Sequence, residues 1–167
     1  MSVIESTFEA RRSSLRKVLM ESAKLWAQRS TCSRSQVGVV IASLDNRILV
    51  TGYNGAPGGM KHCNHGCTCE LSAPYPRVKN HSPSCPSVLP CEIAVHGEAN
   101  AIAFAAKNGI RLASSRLYTT LSPCYKCAQL IINSGVEEVV YLQLYRDPVG
   151  LDLLDDAGIQ VVQYKHG

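Results

Sequence analysis

The chain has 167 residues, 46% of them hydrophobic, and a formal net charge of +4. That length suits a single domain over 1–167 with a real core. It shows no apolar run long enough to cross a membrane and no basic-then-apolar leader, so spanning and secreted classes are set aside. With only 6% aromatic residues and no block of Lys and Arg, it offers no basic, aromatic-lined channel for a polynucleotide, so nucleic acid is not the expected partner.

From about Glu5 to Ser30, Phe8, Leu15, Val18, Leu19, Leu25 and Trp26 recur at helical spacing without Gly or Pro, which predicts a first helix. Arg11, Arg12, Arg16 and Lys17 on its first half read as a solvated face. Val37 to Ala42 is a short apolar run read as a buried strand. Asp45-Asn46 is a turn, and Arg47 to Tyr53 is a second strand, so the two form a hairpin. Gly52-Tyr53-Asn54-Gly55-Ala56-Pro57-Gly58-Gly59 follows. Its glycines would let backbone amides approach a ligand, and Asn54 offers a donor and an acceptor. A plain Gly-rich turn accounts for the same residues.

The stretch from about 61 to 95 has no clear periodicity, and an insertion of that length in a compact domain needs something to tie it down. It holds Cys63, Cys67, Cys69, Cys85 and Cys91, with His62, His65 and His81. Eight cysteines in a chain without a secretory leader point to metal ligation rather than disulfides. A second, structural zinc is therefore expected, with Cys63, Cys67 and Cys91 as preferred ligands and Cys32 as the fourth. Cys69, Cys85 and the histidines compete for those places.

Glu98 to Gly109 is Ala-rich, lacks Pro and stops at Asn108-Gly109, so it reads as a helix. Arg116 to Leu121 reads as a strand. Ser122 is expected to cap the next helix, with Pro123 at its first position. Cys124 and Cys127 then share one face of the first turn, where a helix N-terminus favours thiolate. Glu137 to Leu142 is a strand, Pro148 to Ala157 a helix ended by Gly158, and Ile159 to Gln163 the last strand. This order predicts a three-layer α/β/α fold with a five-stranded mixed sheet, its last three strands parallel because helices join them.

His96, Cys124 and Cys127 are the parts of a catalytic zinc site that keeps a fourth position for water. Two thiolates and a neutral imidazole leave the complex near neutral, so the metal can lower the pKa of its water from about 15.7 toward about 7. Glu98, two residues beyond the first ligand, is placed to take a proton from that water and pass it on. A Cys-x-x-Cys pair alone is ambiguous between redox and zinc use. Joined to His-x-Glu, it is the arrangement of the zinc-dependent base deaminases. The plain alternative is a buried histidine beside two core cysteines. A closed structural zinc is another, but it would have no use for the carboxylate.

With these motifs in view, the chain resembles the deoxycytidylate (dCMP) deaminases of the cytidine-deaminase superfamily, from about Leu25 to Gln163. The matching segments are Arg29-Ser30-Thr31-Cys32, Gly52-Tyr53-Asn54-Gly55, His96 to Ile102, Thr120 to Cys124, and Tyr145-Arg146-Asp147-Pro148. It is most similar to bacterial competence-type and phage members, which also carry extra cysteines before the catalytic histidine. The resemblance implies hydrolysis of dCMP to dUMP and ammonia, feeding dTTP synthesis in a cytoplasm, the host's if the chain is phage-encoded. It implies substrate contacts at Arg29, Asn54, Ser122 and Tyr145. It also implies a homo-oligomer, hexamer favoured, with dCTP as activator and dTTP as inhibitor through a loop that includes Gly52, Asn54 and Gly55. Gly97 stands where the family usually has Ala, which is expected to free space above the metal for a larger base substituent. The alternatives are a dual dCMP/dCTP or 5-substituted dCMP deaminase, and a tRNA or single-stranded-DNA deaminase.

Overall fold

Alternation along the strands decides the layers. In a computed structural model, which describes residues 13–32, 35–60, 62 and 94–165, β1 (Gly38–Ser43) sends Val39 and Ile41 to one face and Val40 and Ala42 to the other, all fully buried. A strand buried on both sides must lie inside a sheet covered by helices. The other elements are α1 (Leu15–Ala27), β2 (Ile48–Tyr53), α2 (Gly97–Lys107), β3 (Ser115–Leu121), α3 (Tyr125–Ser134), β4 (Val136–Gln143), α4 (Val149–Asp156) and β5 (Gln160–Gln163). The five-stranded sheet has the order β2-β1-β3-β4-β5. β1 pairs antiparallel with β2 and β3, while β3, β4 and β5 run parallel.

Leu19, Met20 and Ala23 of α1 pack on Val40, Tyr118 and Val140. Ala101 and Ala105 of α2, Ile131 of α3 and Leu154 of α4 pack on Val39, Leu117 and Val139 of the opposite face. The expected element order, the parallel strands and the three layers are all present. The hairpin turn carries Asn46 at φ 66°, a conformation Asn tolerates better than most residues.

Two expectations about the first helix need correction. Its first turn begins at Leu15, because Ser14 is extended and its hydroxyl accepts a hydrogen bond from the Lys17 N–H. The expected helix from about Glu5 to Ser30 therefore has no helical residue at Ser14 and ends at Ala27 rather than Ser30, and its first part, up to residue 12, lies outside the described residues. Arg16 is not simply part of a solvated face. Its guanidinium donates to Glu138 Oε1 at 2.5 Å, and Arg116 Nε lies 2.8 Å from Glu138 Oε2. Glu138 is only 4% exposed, and burying a carboxylate is costly unless cations accompany it. Its partner in α1 lies too far away in sequence for any local pattern to show.

Candidate metal centre and its cavity

The sheet brings the site together at one end. Gly55 and Val95 exchange two backbone hydrogen bonds, of 3.1 and 2.9 Å. This pins Val95, one residue before His96, to the end of β2. Asn100 Nδ2 donates to the Tyr53 carbonyl at 2.9 Å. Gly52 lets α2 press onto β2, since a Cβ there would stand 2.4 Å from the Gly97 carbonyl oxygen. His96 is the N-cap of α2 and makes no side-chain cap bond, so its imidazole is left to other partners.

The second half of the site comes from the turn after β3. Ser122 was expected to cap α3, but Cys124 occupies the N-cap position, also without a side-chain cap bond. Ser122 is 3% exposed. Its N–H donates to Gln143 O at 2.8 Å, and its hydroxyl accepts from the Tyr145 N–H at 2.7 Å. It therefore staples the end of β3 to the end of β4, and a proline two residues before the helix leaves the cap to the cysteine. Cys127 is one turn further on, buried at 2% exposure.

His96 Nδ1 lies 3.4 Å from both Cys124 Sγ and Cys127 Sγ, and the three donor atoms are within 4.8 Å of one another. A tetrahedral zinc with Zn–S near 2.3 Å and Zn–N near 2.0–2.1 Å sets N and S about 3.5 Å apart. One imidazole and two thiols at that spacing fit zinc. Among the described residues this is the one such cluster of His, Cys, Asp and Glu. The three groups share protons through these contacts. The Cys124 thiol falls to about 3, chiefly through the hydrogen bond from Cys127 and with help from His96. Cys127 is correspondingly held as the thiol, and the bond to Cys124 raises His96. Glu98, only 4% exposed, is pushed up mainly by burial.

These groups open into a cavity of ≈ 270 Å³, the scale of one small ligand. Asn54, Ser122 and Tyr145 line it together with His96, Glu98 and Cys124. The Asn54 side chain is itself fixed, its Oδ1 accepting from the Val37 N–H at 2.8 Å and its Nδ2 donating to Ser35 O at 2.8 Å. Gly55 is held in the bridge to Val95. Arg29 is exposed and is not on the cavity wall. Cys32 is buried and lines the cavity, whereas Cys63, Cys67, Cys69, Cys85 and Cys91, with His65 and His81, lie outside the described residues. Arg146, which sequence reasoning did not assign a role, is on the wall. The space expected above the metal from Gly97 is not where its Cβ would go. That atom would face Val39 Cγ2 at 3.1 Å and Val37 O at 3.3 Å. The glycine lets the helix approach the sheet.

Residues 13–143 match the cytidine and deoxycytidylate deaminase zinc-binding region. The chain is 36% identical to the deoxycytidylate deaminase of Enterobacteria phage T2, over 86% of this chain and 88% of that one. It is 44% identical to the deoxycytidylate deaminase of Mycobacterium phage D29, over 69% and 84%. The crystal structure of the cyanophage S-TIM5 dCMP deaminase in complex with dCMP and dUMP superimposes with a TM-score of 0.71, at 30% identity, over 92% of this chain and 98% of that one.

Proposed function

The chain belongs to the cytidine and deoxycytidylate deaminase family, and from that premise we propose that it catalyses hydrolytic deamination of dCMP to dUMP and ammonia. The observation that carries the proposal is the His96–Cys124–Cys127 cluster, whose His96 and Cys124 line a small cavity together with a buried carboxylate, Glu98. The likeness to dCMP deaminases supports the substrate.

In this reading His96, Cys124 and Cys127 hold the zinc. Zinc bound there supplies a Lewis acid and a water of lowered pKa. Glu98 takes one proton from the attacking water and delivers it to N3 of the cytosine ring, then takes the second proton from the new C4 hydroxyl and passes it to the amine, which leaves C4 as ammonia while the carbonyl forms. Water's oxygen stays on C4 and nitrogen departs as ammonia, so the atoms balance. Burial favours the proton-carrying form of Glu98, which suits a carboxyl that receives a proton and gives it up within one turnover. Asn54 is rigidly held on the wall, where its amide can orient the nucleotide. Tyr145 lines the same cavity, and Ser122 holds the loop that carries it. Arg29, outside the cavity wall, would serve the substrate only by reaching toward its entrance.

The same proposal covers the wider features: one deaminase domain over 1–167 with a Cys-rich insertion at about 61–95, a structural zinc on Cys32, Cys63, Cys67 and Cys91, a homo-hexamer, and a cytoplasmic role in dTTP supply. It includes activation by dCTP and inhibition by dTTP through the Gly52–Gly55 loop. Among the described residues, no helix is long and apolar enough to cross a membrane.

Ammonia release from dCMP, dCTP, CMP, deoxycytidine and a short single-stranded DNA, each with and without added dCTP or dTTP, tests the proposal. Preferential turnover of dCMP supports it. Turnover of single-stranded DNA in place of dCMP would refute it.

A further inference from the structure

His96 and Glu98 both enter the cavity from the start of α2, so the geometry of proton transfer depends on what holds that start in place. Two tethers do so, and both reach the end of β2. The first is the backbone bridge between Gly55 and Val95, just before His96. The second is the bond from Asn100 Nδ2 to the Tyr53 carbonyl, just after Glu98. A backbone bridge asks little of the residues that make it. The second tether needs a side-chain donor of the right length at residue 100.

The strand explains why that donor has a use. β2 is the edge of the sheet, and the Asn54 N–H faces β1, donating to Val37 O at 3.1 Å. Alternation then turns the neighbouring Tyr53 carbonyl outward, where no strand can pair it. Asn100 supplies the partner, and its own N–H donates to His96 O at 2.9 Å, closing the turn that contains Glu98. Among the described residues this is the one side-chain hydrogen bond between α2 and β2. The rest of the contact is close but smooth. A Cβ on Gly52 would stand 2.4 Å from the Gly97 carbonyl oxygen, so packing sets the distance between helix and strand and leaves their relative slide to the Asn100 bond. The frame it grips is rigid, since Asn54 is held by Val37, by Ser35 and by the Ser30 hydroxyl, which donates to Asn54 O at 2.8 Å.

We propose that Asn100 is a positioning residue for the deamination: through the Tyr53 carbonyl it registers the Glu98 carboxyl against the nucleotide held at Asn54. The proposal rests on the dCMP reading and deepens it by naming the group that places the proton carrier. Asn100 is not on the cavity wall, so it acts through Glu98 and not on the substrate. Its loss frees the turn that carries Glu98 and leaves His96 on the backbone tether, so zinc stays bound. Binding makes little demand on the placement of a proton carrier, whereas proton transfer depends on it steeply, and the cost falls on kcat.

The test measures kcat and KM for dCMP, and zinc content, in the wild type, Asn100→Ala and Asn100→Asp, each per folded molecule and across pH. Asn100→Ala is expected to lower kcat by about 10- to 100-fold, the cost of a misplacement of about 1 Å, with KM within about threefold of wild type and zinc content unchanged. Asn100→Asp keeps the shape, but its carboxylate only accepts and cannot serve the Tyr53 carbonyl. Its protonated form carries one O–H donor. The ratio of its kcat to that of wild type should therefore rise as pH falls from about 8 to about 6, while the ratio for Asn100→Ala stays flat. A merely structural role would leave both ratios flat. Flat ratios in both variants, a loss carried by KM, a loss of zinc along with turnover, or a kcat for Asn100→Ala close to wild type would each overturn the assignment. Should Asn100→Ala fail to fold, the pH dependence of Asn100→Asp decides alone. A wild type that does not turn over dCMP defeats the underlying reading; an active wild type with unaffected variants defeats only the role of Asn100.

Discussion

On one face of the sheet α1 starts at Ser14, whose hydroxyl caps the Lys17 N–H, and its Arg16 joins Arg116 on a buried Glu138. On the other face α2 and α3 start at His96 and Cys124, and neither side chain caps its helix. A good cap contributes about 0.5–2 kcal/mol, so the metal-binding side forgoes that stabilisation twice. What it keeps instead is two helix N-termini whose partial positive charge favours thiolate, with donor atoms directed at one another. The contrast separates a face whose polar groups satisfy each other from a face whose polar groups are placed to hold a metal ion.

The sharpest way to break that contrast is to remove groups on the metal side. Glu98→Gln should lower kcat by about 10⁴-fold, the upper range for a general acid–base, while zinc measured by atomic absorption stays at the wild-type level. Cys127→Ser should lose zinc as well as turnover. If Glu98→Gln kept near-normal rates, the proton-carrying role would be wrong.

A second test is pH. Because Cys127 is held as the thiol and His96 is raised, both carry protons over a wider range than they would alone. Zinc must displace those protons. Each one displaced makes the logarithm of zinc affinity rise by about one per pH unit. Titration in buffers of different ionisation enthalpy should therefore show proton release at neutral pH, with affinity climbing as pH rises. Cys124, lowered to about 3, should contribute none of it.

On the opposite face Glu138→Ala should cost about 1–3 kcal/mol in urea unfolding, less than a fully buried pair because Arg16 and Arg116 are partly exposed and can rehydrate. Activity per folded molecule should be preserved. A loss of turnover without a loss of stability would mean that the two faces are coupled. The smallest effect is expected from Gly97→Ala. The added Cβ meets Val39 at 3.1 Å, offsetting the helix preference of Ala, so stability should change by less than about 1 kcal/mol. Since that atom points at the sheet, discrimination between dCMP and its 5-methyl derivative should stay as in the wild type.

Local signals were readable and distant ones were not. The hairpin, the Ala-rich helix after His96 and the parallel β3–β4–β5 set all announce themselves within a few residues, and so do the Cys-x-x-Cys and His-x-Glu motifs. Ser122 misled because Ser-Pro before a helix has two uses, and the deciding partner, Tyr145, is 23 residues away. Arg16 misled for the same reason across 122 residues. Gly97 was misplaced because composition reports a missing Cβ but not its direction. Arg146 carried one visible hint, an arginine next to an aromatic residue in a loop after a strand. Only the cavity shows which way that loop faces.

Sequence separation also bears on the order of assembly. The thiol–imidazole contacts span 28 and 31 residues, whereas the Arg16–Glu138 link spans 122. Loop-closure entropy makes the longer link dearer by about 1.3 kcal/mol. We expect the α2–β3–α3 segment to form first, with zinc able to join it early, and α1 to dock afterwards. Pulse-labelled hydrogen exchange during refolding would show it: amides of β3 and α3 protected before those of α1, and a wider interval between the two when zinc is present from the start. Simultaneous protection would mean that the metal clamps a chain already closed on both sides.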